Sequence, residues 1–177
     1  MDEEFFETFD ETGTPTGTAP RSLVHRNGLW HRAANVLLFD DHGHLLLQQR
    51  SAHKDVCPGL WDLSVAEHLQ PGEAYLEGAL RGAQEELGLT QLTLTPLGDE
   101  RRFQLELPAQ DLRDFEFQQS FRGQFTTQPR IDPLEVAQVR TLSLAQLQGE
   151  LNAQPHTFTP WFRSLIEALA ILSSPAP

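Results

Sequence analysis

Glu85 and Glu86 stand side by side near the end of the stretch Glu67–Leu89, EHLQPGEAYLEGALRGAQEELGL, with Glu73 and Glu77 upstream. Adjacent carboxylates on a rigid element are hard oxygen ligands. They suit Mg2+, which takes one or two carboxylates and leaves its other positions to water and substrate phosphates. The same residues also suit a plainer role: an acidic amphipathic helix facing solvent, using pairs such as Glu77–Arg81 and Arg81–Glu85. These features alone leave both readings open. Arg50 and Lys54 lie in a loop just ahead of Pro58-Gly59-Leu60-Trp61. A guanidinium and an ammonium suit phosphate oxygens, and they serve equally well to balance surface carboxylates.

A helix must position the paired carboxylates. Leu76, Ala79, Leu80, Ala83 and Leu87 recur at helical spacing, so one narrow face packs. The pattern predicts that Glu85 and Glu86 point away from that face. Pro71-Gly72 turns the preceding loop, and Gly88 sits where a helix commonly ends in a left-handed residue. Upstream, residues 3–9 and Thr14–Pro20 suggest an N-terminal hairpin. Ala33–Phe39 and Leu45–Gln49 read as strands joined by a turn at Asp40-Asp41-His42-Gly43, and Trp61–Val65 as the strand feeding the acidic stretch.

Downstream, Leu92–Leu97 and Arg101–Leu107 are strand-like or irregular, and Asp114–Phe125 alternates as a strand. Phe103, Phe115, Phe117 and Phe121 are expected to pack in a half-buried sheet, with stacking on a base as the alternative. Ser143 is an N-cap for a short helix to Leu151. Thr159 and Pro160 open a C-terminal helix with Trp161, Phe162, Leu165, Ile166 and Leu169 on its apolar face, and Ser173–Pro177 is expected to fray.

The chain of 177 residues is expected to form one domain over 1–177. Its formal net charge of −12 argues against a nucleic-acid duplex or an anionic membrane as partner, since both call for basic surface. It is compatible with a small phosphate ligand held through a cation. No run approaches the ~20 apolar residues of a membrane span. The acidic start MDEEFFETFD does not read as a secretory signal, and a lone cysteine, Cys57, excludes an internal disulfide. The simplest setting is the cytoplasm.

The stretch 67–89 resembles the Nudix box, whose pattern is Gly, five residues, Glu, seven residues, Arg-Glu-apolar, one residue, Glu-Glu, one residue, Gly-apolar. Glu73, Arg81, Ala83, Glu85, Glu86, Gly88 and Leu89 match in register. Glu67 and Gly82 depart: the family has Gly at the first and Glu at the second. The resemblance implies an α/β fold, the Nudix α/β/α sandwich around a mixed β-sheet. It also implies a metal-dependent hydrolase using Mg2+, with Mn2+ as the alternative ion. Glu85 and Glu86 are the implied ligands, and the backbone carbonyl of Glu67 completes the site. Glu135, in the loop IDPLEVAQV, falls where many members supply a further ligand or the base.

HRNGLWHRAANVLLFDDHGHLLLQQRS is similar to the entry of the isopentenyl diphosphate isomerase-like branch of that superfamily. There, an Arg and a Lys placed like Arg50 and Lys54 face the diphosphate, and histidines in this region help bind a metal. His31 occupies a comparable place, His25 sits roughly right, and His68 is retained. Isomerases carry a catalytic Cys two residues before that last histidine, and here the position is Ala66, with Cys57 too far upstream to replace it. This argues against isomerisation. The leading expectation is hydrolysis of a phosphoanhydride in a nucleoside diphosphate-linked substrate, nucleoside di- or triphosphates first. An isomerase-like enzyme and a non-catalytic nucleotide-binding module are the alternatives. Gly82 removes a helix carboxylate that would share a face with Glu86, and three outcomes stay open: Glu67 fills the space, Glu135 acts as base, or the protein only binds.

Overall fold

Ala34, Val36 and Leu38 bury one side of strand β3 (His31–Phe39) while Ala33 and Leu37 bury the other, so this strand runs through the centre of the protein. A strand covered on both faces reads as a continuous apolar run instead of an alternating one. The computed structural model describes residues 3–172, and the tail Ser173–Pro177 lies outside them.

The main sheet is mixed. Its order is β10 (Val136–Leu142), β4 (Leu45–Arg50), β3, β9 (Leu112–Gln124) and β7 (Leu94–Pro96). Three further strands pair off this path: β5 (Trp61–Asp62) on β4, β6 (Val65–His68) on β3, and β8 (Arg101–Leu107) on β9. β3 and β9 run parallel; the other pairs are antiparallel. The turn at Asp40 joins β3 to β4 as the sequence suggests, with Asp40 Oδ1 accepting from the His42 and His44 amides at 2.9 and 2.7 Å. The two strands then part after a single register pair, Phe39–Leu45. Ser64 bridges the gap: its hydroxyl accepts from Leu38 N at 2.9 Å and donates to Leu46 O at 2.6 Å. The expected strand Trp61–Val65 is therefore two short strands, one on each side of the split, because each of β3 and β4 needs a separate partner for its open edge.

Helix α2 (Tyr75–Leu87) covers one face of the sheet with Ala79, Ala83 and Leu87. Gly78 and Gly82 are also buried, and a line of small residues lets the helix lie close to the strands. Leu76, expected in the packed stripe, is 43% exposed. Glu77 caps the helix by accepting from Ala74 N at 3.0 Å instead of pairing with Arg81. Gly88 closes it in the left-handed region at φ 65°. The opposite face is packed by α3 (Leu144–Ala153) and α4 (Pro160–Ala168) through Leu147, Trp161, Phe162, Leu165 and Ile166. Ser143 and Thr159 cap them, accepting from Gln146 N and Phe162 N. Phe103, Phe117 and Phe121 are buried in the apolar clusters, which settles them as packing residues.

The N-terminal hairpin forms as expected from β1 (Phe5–Phe9) and β2 (Pro15–Pro20). It leads into a short helix, α1 (Arg21–Asn27), that periodicity did not reveal. Gly28 ends it at φ 62°, where a Cβ would also come within 3.1 Å of Arg113 and Phe115 side chains.

Candidate functional site

Side chains alternate across a strand, so His31, Ala33 and Asn35 of β3 share one face, as do Asp114, Glu116 and Gln118 of β9. The parallel register sets His31 opposite Glu116, and the antiparallel register sets His68 of β6 opposite Ala33. The hairpin and α1 close over this face. Four groups then converge: a ligand-capable atom from each of His25, His31, His68 and Asp114 lies within 4.8 Å of the others. His31 Nε2 is 3.3 Å from Asp114 Oδ1, His25 Nε2 is 3.7 Å from the same oxygen, and His68 Nε2 is 3.1 Å from Glu116 Oε1. Phe6 stacks over the group, its ring 5.2 Å from His31 and 4.7 Å from His68.

The donor set fits a divalent cation. His25 Nε2, His31 Nε2 and Asp114 Oδ1 are buried without a hydrogen-bond partner among the described residues, an arrangement that calls for an explanation such as an ion. His31 Nδ1 lies 3.0 Å from Leu29 O; donating there leaves the Nε2 lone pair free. Burial, reinforced by His68, holds His25 down at about 4, and burial with His31 holds His68 at about 3. Both are neutral at physiological pH, as metal ligation requires. Burial pulls His31 down too, but the facing Asp114 carboxylate wins and raises it. Asp114 is driven to about 2 by the histidine against the effect of burial, while burial and then Asp114 lift Glu116 to about 7. Asp114 and Glu116 are not among the candidates that the sequence offers; their only signal there is the i, i+2 spacing of two acids in DFEF.

The acidic stretch builds a second group on the α2 side of the sheet. Glu86 is buried, 6% exposed, with Oε2 accepting from Gln48 Nε2 at 2.6 Å. The expectation that it points away from the packed face is corrected: the chain turns Glu86 inward, where Gln48 of β4 and the loop before β10 receive it. Burial, followed by the proximity of Glu67, pushes its carboxyl well above the usual range; Lys54 opposes and Glu135 adds to the shift. The end of α2 docks on that loop through Asp132 N to Glu86 O at 3.1 Å and Arg130 N to Leu87 O at 2.7 Å. Glu135 pairs with Lys54. Glu85 does point outward and meets Arg81 Nη1 at 3.1 Å.

Arg81 gathers three carboxylates, with Nε 2.8 Å from Glu73 and Nη1 3.2 Å from Glu67, besides Glu85; Nη2 donates to His68 O at 2.9 Å. Arg50 is buried: Nε donates to Val56 O at 3.0 Å, Nη1 reaches Asp62 at 3.4 Å, and the guanidinium sits 5.1 Å from the Trp161 ring centroid. Arg50, Ala66, Glu67, His68 and Glu116 all line one narrow cavity. Ala66 presents only a methyl group there. Cys57 packs instead against the apolar core beneath α4, its thiol raised by burial.

The NUDIX domain family matches residues 29–162. The chain therefore belongs to the Nudix superfamily, and the layered sheet with its loop–helix–loop motif is the Nudix α/β/α fold. It is 38% identical over 163 residues to the isopentenyl-diphosphate Delta-isomerase of Streptomyces griseus subsp. griseus, covering 92% of this chain and 81% of that protein. The enzyme of the same name from Nocardia farcinica is 37% identical, covering 91% of each. Among solved structures, DR0079 from Deinococcus radiodurans superposes with a TM-score of 0.69 at 25% identity, covering 85% of this chain and 90% of that one. Within the superfamily the chain falls in the isopentenyl diphosphate isomerase-like branch. It is a Nudix enzyme whose described residues include no helix long and apolar enough to cross a membrane.

Proposed function

We propose that the protein is a divalent-metal-dependent hydrolase that cleaves a phosphoanhydride in a small diphosphate-bearing substrate, with nucleoside di- or triphosphates as the leading class. The observation that carries this is Ala66. Double-bond isomerisation needs an acid and a base exchanging protons with carbon, and the isomerase thiol position holds a methyl group here, with no other cysteine in the chain but the core-packed Cys57. The carboxylates suited to phosphoryl chemistry remain.

When bound, Mg2+ or Mn2+ would neutralise charge building on the phosphate oxygens as water attacks phosphorus. Glu86 and Glu85, with the backbone carbonyl at Glu67, would hold that ion, and His25, His31, His68 and Asp114 suit a second one. Glu135 is poised in its loop to orient or deprotonate the water, once Lys54 exchanges it for a phosphate oxygen. Arg50, held by Asp62 and Trp161 at the wall of the cavity, would offer its guanidinium to the diphosphate. The lone cysteine supports a reducing, cytoplasmic setting.

Phosphate release from a nucleotide panel, with and without Mg2+ or Mn2+, tests the reading. Turnover of a member that depends on the ion supports it; no turnover by correctly folded protein overturns it. The histidine cluster and the named relatives favour one rival, isopentenyl diphosphate isomerisation. Deuterium exchange into that substrate from D2O would reverse the ranking.

A further inference from the structure

Gly82 and Glu67 touch. A Cβ built on Gly82 would lie 2.8 Å from Glu67 Cβ, 3.0 Å from Glu67 Cγ and 2.9 Å from Val65 Cγ1. These are atoms close to the backbone of β6, not the free end of a flexible chain, so a side chain at 82 and the side chain of Glu67 exclude each other. The two departures from the Nudix box are therefore one event in space. The carboxylate lost from helix α2 and the carboxylate gained on strand β6 compete for the same volume beneath the helix.

We propose that the box carboxylate has changed elements: Glu67 delivers from β6 the oxygen ligand that position 82 delivers from the helix, and it shares the divalent cation with Glu86. This rests on the hydrolase reading for its consequence but not for its geometry. Glu67 is half-buried, its Oε1 is 3.2 Å from Arg81 Nη1, and its carboxylate is near enough to disfavour the charge on Glu86, which lies one helical turn beyond Gly82 on the same face. Neighbouring carboxylates in a low-dielectric setting repel, and a divalent cation held by both offsets that repulsion. Arg81 grips Glu73 with Nε and Nη2, so its Nη1 is shared by Glu67 and Glu85 and leaves Glu67 room to engage an ion. Arg81 thereby takes the part of a positioning residue for the transplanted carboxylate.

The test is a reciprocal exchange, read by thermal melting and by Mn2+ binding measured with electron paramagnetic resonance. Glu67→Gln, an isosteric change, should keep the fold and weaken one class of Mn2+ site by tenfold or more. Gly82→Glu alone should melt at lower temperature, because it forces two side chains into one volume. The double variant Glu67→Gly with Gly82→Glu should recover the melting temperature lost by Gly82→Glu and bind Mn2+ within a few-fold of the starting protein. Unchanged Mn2+ affinity in Glu67→Gln, or a double variant no more stable than Gly82→Glu, overturns the exchange. If Mn2+ binding depends on Glu67 while no diphosphate is hydrolysed, the exchange stands and the hydrolase reading falls.

Discussion

His31 Nε2 and Asp114 Oδ1 face each other at 3.3 Å, both buried, and neither makes a hydrogen bond among the described residues. His25 Nε2 and Glu116 Oε1 look into the same space, 3.7 Å from Asp114 and 3.9 Å from His31 respectively. Buried polar atoms left unpaired cost free energy on the order of 1–3 kcal/mol each, so a cation among them would remove a standing penalty.

Adding Mg2+, Mn2+ or Zn2+ to metal-free protein should raise its melting temperature. At about a hundred times the dissociation constant, linkage gives ~2.7 kcal/mol, or a rise of about 5–10 °C for a chain of this size. Asp114→Asn should abolish most of that rise. No shift with any of the three ions, or an equal shift in the variant, would count against a metal in this cluster.

Glu86→Gln should lower kcat on the active nucleotide by about a hundredfold or more, as loss of a charge-stabilising group does. The amide can still accept from Gln48, so the fold should persist. Near-normal rates in a folded variant would mean that the metal site lies elsewhere.

Glu67 gives a pH signature in metal-free protein. Burial raises its carboxyl from 4.5 to about 7, against the pull of Arg81. Between those values the folded chain keeps a proton that the unfolded chain has lost, so this group's contribution to stability falls as pH rises through the window. Glu67→Gln cannot titrate. Its stability relative to the parent should therefore grow between pH 4.5 and 7.5, by roughly 2–4 kcal/mol. Urea unfolding of both proteins in EDTA at the two pH values measures this, and a constant difference would refute it.

Asp62 is fully buried and accepts from Thr159 Oγ1 at 2.9 Å, Trp161 Nε1 at 2.8 Å and Leu63 N at 2.9 Å, besides facing Arg50. Asp62→Ala strands those donors and an unpaired guanidinium, and should destabilise by about 3–5 kcal/mol. Trp161→Phe removes one donor and should cost about 1–2 kcal/mol. Denaturant titration ranks the two; equal effects would show that packing of the indole, not the carboxylate network, dominates.

Legibility followed locality. Helix α2, the capped helices at Ser143 and Thr159, the N-terminal hairpin and the Asp40 turn were readable, because spacing and turn residues act within a few positions. Helix α1 is a short element with little periodicity to show. Trp61–Val65 read as one strand because nothing local signals that β3 and β4 separate. Glu86 departs from its expected outward orientation for a related reason. Periodicity marks apolar residues as buried, and a charged residue enters the interior only where a partner such as Gln48 waits on another element.

By itself the sequence determined the family, the acidic helix, and the two substitutions that set this box apart, since each is a matter of residue type at fixed spacing along the chain. Tertiary structure decided what those residues meet. The parallel pairing of β3 with β9 brings Asp114 and Glu116 to His31, the hairpin and α1 bring His25 and Phe6 over them, and close packing of α2 on β6 makes Gly82 and Glu67 a single choice. Spacing encodes which face of an element is buried, but contact between distant faces depends on strand order and on how closely backbones approach, and neither is written in any one segment.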